Sequence, residues 1–388
     1  MKSKFNIPIN CFSLLLLFLF CYCSDENISD PPPLYSYEIP EKTVDGWEVG
    51  DLHDEGMSSE ELMTLVDHIN YHIIKEVHSV LIVKNGKLVF EEYFSGSTFE
   101  YSGNNHHGNQ KDFNRLTIHN QASVTKSFTS ALVGIAIDEG FIGSVNDNVF
   151  DYFPEYSAYN VGDKKNMTIE HLLTMSSGFD WNENNLPYGN NQNDLIRMWG
   201  VADPLEYLVA KPLSHTPGSH FYYNSGCTNL LGEVIYRASS TKPDVFADQF
   251  LFNKLGILSR SWEKFNNGVV FVSGDLKIRP RDMAKFGYLY LNNGVWNNQQ
   301  IISEDWVNKS IENHITVNSI YNYGYKWWLR KYEFESKDYW SYSARGWGGQ
   351  QITVFPELDM VLVFTGGNYA TSDPVDQIII QYIFPSIK

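Results

Sequence analysis

Strand patterns lie at the two ends of this chain, and helical patterns fill the stretch between them. Near the start, Ser79–Phe94 has two strand patterns around Asn85-Gly86, a dipeptide typical of a two-residue hairpin turn. Four more strand patterns occur near the end: "YGYKWWLRKY", "YWSYSA", "QQITVFPE" and "DMVLVFTGG". Short connections favour antiparallel pairing. We therefore expect an α/β fold in which both ends form one antiparallel sheet flanked by helices, with a mainly helical region inserted beside it.

Helical spacing of apolar residues marks the intervening elements. A first helix is expected from Ser58, with Leu62, Leu65, Val66, Ile69, Ile73 and Val77 on its apolar face. The polar stretch from Glu100 to Thr117 is expected to be a loop. Helices are predicted for "TIEHLLTM", "DPLEYLVA", "TNLLGEVIYRAS", "PDVFADQFLFNKL", "PRDMAKFGYLYLNN", "SEDWVNKSI" and the closing "DPVDQIIIQYIF".

The first 23 residues have the features of an export leader. Lys2 and Lys4 precede the apolar run Phe12–Phe20, whose nine residues are too few to span a bilayer. Cys21 and Cys23 follow, which resembles a bacterial lipoprotein leader. This resemblance implies lipidation at Cys23, with Cys21 or simple cleavage as alternatives. It also implies a location in the cell envelope, at the periplasm or cell surface, with secretion as the alternative.

The remaining boundaries follow from composition. Residues 24–48 are polar and rich in proline, as expected for a tether. Residues 49–388 are expected to fold as one domain, with sheet parts at 49–145 and 319–388 and the helical insertion at about 146–318. A net charge of −17 argues against nucleic acid, and against a membrane contact other than the lipid anchor. Cys227, in an apolar context, is expected to be a packed residue.

Ser123 and Lys126 stand three residues apart at the start of an apolar helix. Residues at i and i+3 share a helix face, so both side chains should occupy the same space. A lysine can activate a serine only when it is neutral. Burial and the positive helix N-terminus lower an amine pKa from about 10.4 towards about 7–8. The spacing indicates a nucleophile and base, although a surface lysine at a helix start has the same pattern.

Two further stretches suggest partners for this pair. Tyr223 follows a Pro-Gly loop and precedes an apolar helix, where its hydroxyl would relay a proton; Tyr222 is the alternative, and a core tyrosine is the simpler reading. Trp347-Gly348-Gly349 precedes a strand, and paired glycines permit close approach of a ligand or a backbone. The backbone N–H of Gln350 would then join that of Ser123 in an oxyanion hole. A plain bulge would also explain the glycines.

In this order, the three motifs resemble the serine β-lactamase and penicillin-recognising superfamily. The longer stretches resemble class C β-lactamase-like hydrolases, which include carboxylesterases and 6-aminohexanoate-dimer hydrolases: "TIEHLLTMSSGFDW", "PGSHFYYNSGCTNLLG", "RPRDMAKFGYLYLNNG" and "ARGWGGQQITVFPELDMVLVF". The resemblance covers residues about 58–388. It implies a β-lactamase-like fold, with Ser123 as nucleophile, Lys126 as base and Tyr223 as the catalytic tyrosine. It also implies no metal or cofactor, and a small ester, amide or peptide-like substrate.

The third motif departs from the β-lactamase pattern, in which Lys-Thr-Gly would bind a substrate carboxylate. Trp347-Gly348-Gly349 resembles the esterase branch instead, while Arg345 would supply a nearby cation and Ser225 replaces an asparagine common in β-lactamases. The predicted substrate contacts are Trp181, Ser225, Arg345, Trp347, Gly348 and Gly349. An exported ester or amide hydrolase is therefore predicted. The alternatives are a β-lactamase or D,D-peptidase and a non-catalytic envelope binding protein.

Overall fold

A nine-stranded sheet, built from both ends of the chain, organises the protein in a computed structural model that describes residues 34–101 and 104–388. The leader and residues 24–33 lie outside the described residues. The strands are β1 Glu48–Val49, β2 Val77–Lys84, β3 Lys87–Tyr93, β4 Ser95–Phe99, β5 His107–Asp112, β6 His119–Asn120, β7 Ser261–Trp262, β8 Leu276–Ile278, β9 Val295–Trp296, β10 Gln299–Gln300, β11 Ile315–Thr316, β12 Tyr321–Tyr323, β13 Trp328–Phe334, β14 Lys337–Gly346, β15 Gln350–Phe355 and β16 Met360–Gly366.

The strand order of the large sheet is β1-β3-β2-β16-β15-β14-β13-β12-β11. Its centre joins β2, from the start of the chain, to β16, from the end, in antiparallel pairing. All the other pairs are antiparallel except β1 with β3. The predicted sheet assembled from both ends is therefore confirmed. Asn85 and Gly86 have φ of 51° and 76°, as the predicted two-residue hairpin between β2 and β3 requires.

Helices cover both faces of this sheet. They are α1 Glu60–Asn70, α2 Thr125–Asp138, α3 Ile169–Leu173, α4 Asp194–Trp199, α5 Pro204–Val209, α6 Ser225–Ser239, α7 Pro243–Ala247, α8 Pro280–Leu291, α9 Glu304–Ile311 and α10 Val375–Ile378. Single π-turns extend α7 over Asp248–Phe252 and α10 over Ile379–Ile383. Each predicted middle segment contains a helix, and α4 is an additional one. In the described part of the chain, no helix has the length and apolar character needed to cross a membrane.

Alternate residues of the central strands enter two different cores. Leu81 and Val83 of β2 face the large cluster that contains α2, α6 and α8. Val80 and Ile82 face a smaller cluster with α1 and the closing helix. A strand buried on both faces carries a continuous apolar run, which accounts for the uniformly apolar "VLIV" of β2. The larger cluster surrounds α2, so the helix that carries Lys126 is fixed by packing on nearly every side.

Three predicted boundaries were wrong. The first helix ends at Asn70, and Val77 belongs to β2, because helical and strand spacing overlap in so short a stretch. The predicted loop contains β5, which pairs with β4 through its backbone and has no apolar side chain to reveal it. The predicted end of the tether, at residue 48, is too late in the chain, since residues 35–388 form one compact unit and Trp47 is 1% exposed.

Candidate active site

Ser123 lies in a tight 3₁₀ turn, Ala122–Val124, that leads directly into α2. Ala122 has φ of 43°, an uncommon value for a residue with a Cβ. Its N–H donates to Asn120 Oδ1 at 2.8 Å, which holds the turn from the preceding strand. On the other side, a Cβ at Gly346 would lie 3.1 Å from the Ser123 nitrogen. Glycine there allows β14 to approach the serine backbone closely.

Ser123 and Lys126 come together as their spacing predicts. Lys126 Nζ lies 2.8 Å from Ser123 Oγ and 2.7 Å from the Ser273 carbonyl oxygen, and Lys126 is 2% exposed. Burial lowers the pKa of Lys126 to about 8, although the negative charges of Glu183 and Asp275 oppose that shift. At pH 7 about a tenth of an amine with this pKa is uncharged, which is far more than of an ordinary lysine. An uncharged amine at 2.8 Å can accept the serine proton.

Tyr223 completes a compact group with these two residues. It lies just before α6, whose first turn is capped by the side chain of Asn224. The Tyr223 ring centre is 5.0 Å from Lys126 Nζ. Burial and the charge of Glu183 raise the pKa of Tyr223, while a hydrogen bond to the Ser123 side chain lowers it. The net shift is upward, so the hydroxyl keeps its proton at neutral pH and can donate it.

The glycine-rich segment lies at the same place. Gly348 and Gly349 both have positive φ, at 87° and 88°, and a Cβ on Gly348 would lie 2.4 Å from the Tyr369 ring. Gln350 opens β15 and is paired in register with Gly346, the residue that abuts the Ser123 nitrogen. The Gln350 side chain donates to the carbonyls of Trp347 and Gly366, at 3.2 and 2.7 Å. The start of β15 is thus held beside the serine turn.

Two cavities meet at Ser123. Cavity A is lined by Phe99, Tyr101, Asn120, Ala122, Ser123, Lys126, Tyr188, Leu195, Ile196, Trp199, Phe271, Ser273, Gly274, Asp275, Trp347 and Tyr369. Cavity B is lined by Ser123, Asn184, Tyr188, Tyr223, Tyr321, Trp328, Arg345, Gly346 and Trp347. Ser123, Tyr188 and Trp347 belong to both, so a molecule attacked by Ser123 has a different environment on each side of its carbonyl.

Three predicted substrate contacts lie in unexpected surroundings. Trp181 is fully buried and lines neither cavity; its indole N–H donates to Glu183 Oε2 at 2.8 Å. Ser225 is also buried, and its hydroxyl donates to Glu183 Oε1 at 2.6 Å. Arg345 lines cavity B, but its guanidinium already binds Asp376 and the Tyr321 hydroxyl. Trp181 and Ser225 lie close to the motif residues in the chain, but their side chains bond to Glu183 and reach neither cavity.

Sequence reasoning missed two buried charges near the serine. Glu183 is 1% exposed and accepts hydrogen bonds from the side chains of Trp181 and Ser225 and, at 3.3 Å, from the Tyr188 hydroxyl. It therefore helps to hold Tyr188, which lines both cavities. Lys326 is also 1% exposed. Glu183 lies in a segment with no periodic or motif signal, and Lys326 lies in the predicted strand segment "YGYKWWLRKY", where nothing marks it as buried. Their burial alone distinguishes them from surface charges, and burial here comes from distant parts of the chain.

Two histidines, His68 and His107, have structural partners. His68 Nδ1 contacts the Tyr382 hydroxyl at 2.6 Å, and His107 Nε2 contacts the Gly367 carbonyl at 2.8 Å. Among residues 34–101 and 104–388, no group of three or more His, Cys, Asp or Glu side chains is arranged to hold a metal ion. Cys227 is buried, with its Sγ 3.1 Å from Ser177 Oγ, in keeping with a packed residue.

Comparison with known proteins places these features in a family. A sequence profile of the family described as Beta-lactamase matches residues 76–377, which is most of the chain. The chain is 25% identical over 260 residues to the 6-aminohexanoate-dimer hydrolase of Paenarthrobacter ureafaciens, covering 62% of this chain and 64% of that protein. It is 24% identical over 206 residues to Protein flp of Staphylococcus aureus strain N315, covering 52% and 39%. The chain thus spans less than two thirds of these relatives.

Solved structures show the same fold. A Bacillus anthracis protein assigned as a 6-aminohexanoate-dimer hydrolase superposes with a TM-score of 0.67 at 22% sequence identity, covering 84% of this chain and 81% of that chain. At this level of identity the agreement concerns the fold alone.

Proposed function

The chain belongs to the Beta-lactamase family of serine hydrolases, and we propose that it cleaves a small ester or amide through an acyl-enzyme on Ser123. One observation carries this proposal: a buried amine, with its pKa lowered to about 8, lies 2.8 Å from the serine hydroxyl. Lys126 is the general base, and Tyr223 is the general acid. Neither step requires a metal or an organic cofactor.

In the acylation step, Ser123 Oγ attacks the substrate carbonyl as its proton passes to Lys126 Nζ. The carbonyl oxygen becomes an oxyanion, stabilised by the backbone N–H groups of Ser123 and Gln350; one such donor is worth about 2.7–4 kcal/mol. Tyr223 donates its proton to the leaving group, and Lys126 returns a proton to Tyr223. Water then attacks the acyl-enzyme, losing its proton to the Tyr223 and Lys126 pair and releasing Ser123.

The two cavities separate the two halves of the substrate. Tyr223 lines cavity B and not cavity A. Since Tyr223 protonates the leaving group, that group occupies cavity B and the acyl group occupies cavity A. The acyl group therefore contacts Trp347 on one wall and the aromatic lining of cavity A beyond it.

A fluorophosphonate probe tests the nucleophile directly, because it labels an activated serine whatever the natural substrate is. We expect labelling of the wild type, none of Ser123→Ala, and turnover of p-nitrophenyl esters or short amides with the same dependence on Ser123. Absence of labelling in a folded protein would overturn the hydrolase proposal and favour a non-catalytic binding protein.

A β-lactamase or D,D-peptidase activity is the competing proposal within the family. The Arg345 guanidinium is already occupied by Asp376 and Tyr321, which argues against its capture of a β-lactam carboxylate. We expect nitrocefin turnover to be at least about 100-fold slower than ester turnover, since a lost charge-assisted contact costs on the order of 3 kcal/mol. Nitrocefin turnover equal to that of esters would favour the competing activity.

We also propose that residues 1–23 direct export and that Cys23 carries the lipid, from the sequence alone. Expression of the full chain with labelled palmitate should give a labelled, membrane-associated protein. Cys23→Ser should abolish the label, and Cys21→Ser should retain it. The reverse result for the two variants would assign the lipid to Cys21. A wild type that takes up no label would indicate simple cleavage of the leader.

A further inference from the structure

Cavity A continues into a second space, the outer space, whose lining does not include Ser123. The two spaces share six lining residues: Phe99, Tyr101, Asn120, Ile196, Trp199 and Asp275. Glu263 and Lys277 complete the outer space; they are paired at 2.8 Å, and their side chains are 51% and 34% exposed. Among the described residues, cavity A therefore leads from the serine to solvent, past this ion pair.

Aromatic rings border this passage on two sides without closing it. The Trp347 ring is in edge contact with Phe99 and Tyr369, at 5.7 and 5.2 Å between ring centres. Trp199 of α4 packs on Phe271 instead, at 4.8 Å. Rings in contact have centres within about 7 Å, and in the described structure no ring contact joins the first group to the second. A gap therefore remains between the two groups, which apolar atoms of a substrate can fill.

The charges in this lining are compensated within the protein. Asn120 Nδ2 donates to Asp275 Oδ1, and the positive charges of Lys277 and of protonated Lys126 stabilise the same carboxylate. Most of the other residues that line cavity A are apolar or aromatic. A charge on the substrate would find no free partner here, and burying an unpaired charge is costly. The passage therefore favours an uncharged, apolar acyl chain.

We propose that cavity A and the outer space form one channel, which takes an uncharged alkanoyl chain and sets no upper limit to its length. Ile196 and Trp199 of α4 are the residues that the chain passes on its way to solvent. The inference rests on the proposed hydrolase function, because that proposal places the acyl group in cavity A. The competing explanation is a pocket that ends before the outer space and so sets a maximum acyl length.

A series of p-nitrophenyl esters, from the acetate to the dodecanoate and kept below micellar concentrations, distinguishes a channel from a pocket. Inside an apolar channel each added methylene leaves water, so kcat/KM should rise by up to about fourfold per methylene. Beyond Glu263 and Lys277 further methylenes stay in water, so kcat/KM should level off. A closed pocket predicts a maximum instead, with a fall of about tenfold or more once the chain is too long.

A variant that narrows the channel tests the path along α4. Ile196→Trp enlarges a side chain of the shared lining, so the ratio of kcat/KM for the dodecanoate to that for the butanoate should fall about tenfold or more below the wild-type ratio. The ratio cancels any general loss of activity. Arg197→Trp adds the same ring at the next residue of α4, which is exposed and lines neither space, so it should keep the wild-type ratio.

Three results would overturn the inference and leave the hydrolase proposal intact. They are a fall in wild-type kcat/KM with the longer chains, no gain in kcat/KM above the acetate, and a ratio in Ile196→Trp equal to that of the wild type. If instead no ester of the series is cleaved and Ser123 does not react with a fluorophosphonate, the hydrolase proposal itself fails, and the inference fails with it.

Discussion

Two buried lysines lie at the start of α2, and they differ in what they touch: Lys126 is in its first turn, and the Lys326 carbonyl accepts a hydrogen bond from Ser127 Oγ. Burial lowers the pKa of both, Lys126 to about 8 and Lys326 to about 7. Lys126 Nζ contacts Ser123 Oγ and lines cavity A. Lys326 Nζ donates to the Leu172 carbonyl at 2.5 Å and lies 3.2 Å from Met175 Sδ, away from both cavities.

The comparison shows that a lowered pKa is not enough to make a lysine a general base. A low amine pKa requires only that a lysine be withdrawn from water, which both sites achieve. Base catalysis also requires a proton donor within reach and an opening through which substrate enters. Lys126 meets both conditions, and Lys326 meets neither. The lowered pKa is therefore a consequence of packing in both cases, and the proposed mechanism uses it only at Lys126.

Replacing the two lysines one at a time should give the largest difference in kcat/KM. Lys126→Ala should lower kcat/KM for a p-nitrophenyl ester by at least about 10³-fold, because the serine loses its base. Lys326→Met should stay within about tenfold of the wild type. Steady-state kinetics with circular dichroism of each variant would check this. A comparable loss in a folded Lys326→Met would contradict the distinction.

The same contrast applies to two neighbouring tyrosines. Tyr223→Phe should reduce kcat/KM by about 100-fold or more, the usual range for a lost general acid. Tyr323→Phe alters a fully buried ring that packs beside Tyr223 but lines neither cavity, so kcat/KM should change by less than about fivefold. Ester turnover measures both, and equal losses would reduce Tyr223 to a packing role.

The two lysines should also affect stability in a pH-dependent way. An unfolded lysine has a pKa of about 10.4, whereas folded Lys326 titrates near 7. Between these values the unfolded chain holds a proton that the folded chain lacks, so the free energy of unfolding rises with pH. Lys326→Met should reduce that slope by up to about 1.4 kcal/mol per pH unit. Urea unfolding at several pH values from 7 to 10 measures it; an unchanged slope would mean that Lys326 stays charged.

The smallest expected effect concerns the pH dependence of activity. Since Lys126 must be neutral, kcat/KM should rise with pH and level off above about 8. The Glu183 carboxylate raises the pKa of Lys126, so Glu183→Gln should move this rise to lower pH by a fraction of a pH unit. Glu263→Gln, outside cavity A, should leave the profile in place. A shift towards higher pH in Glu183→Gln would contradict the proposed electrostatics.

Local sequence patterns predicted much of the fold and the central serine–lysine pair of the candidate active site. The hairpin at Asn85-Gly86, the middle helices and the Ser123–Lys126 pair all depend on residues a few positions apart. For such features the backbone geometry converts spacing directly into proximity. β5 escaped prediction because it contains no apolar side chain and so shows no alternation, while the backbone groups that pair it with β4 are the same in every residue.

The sequence by itself therefore determined the two-ended sheet, the helical middle and the serine with its lysine. Tertiary structure alone decided that Trp181 and Ser225 turn towards Glu183, that Arg345 is bound by Asp376, and that Asp275 borders the same cavity as Ser123. Those relations join segments far apart in the chain. No periodicity records them, because they arise only when packing excludes water and brings the segments together.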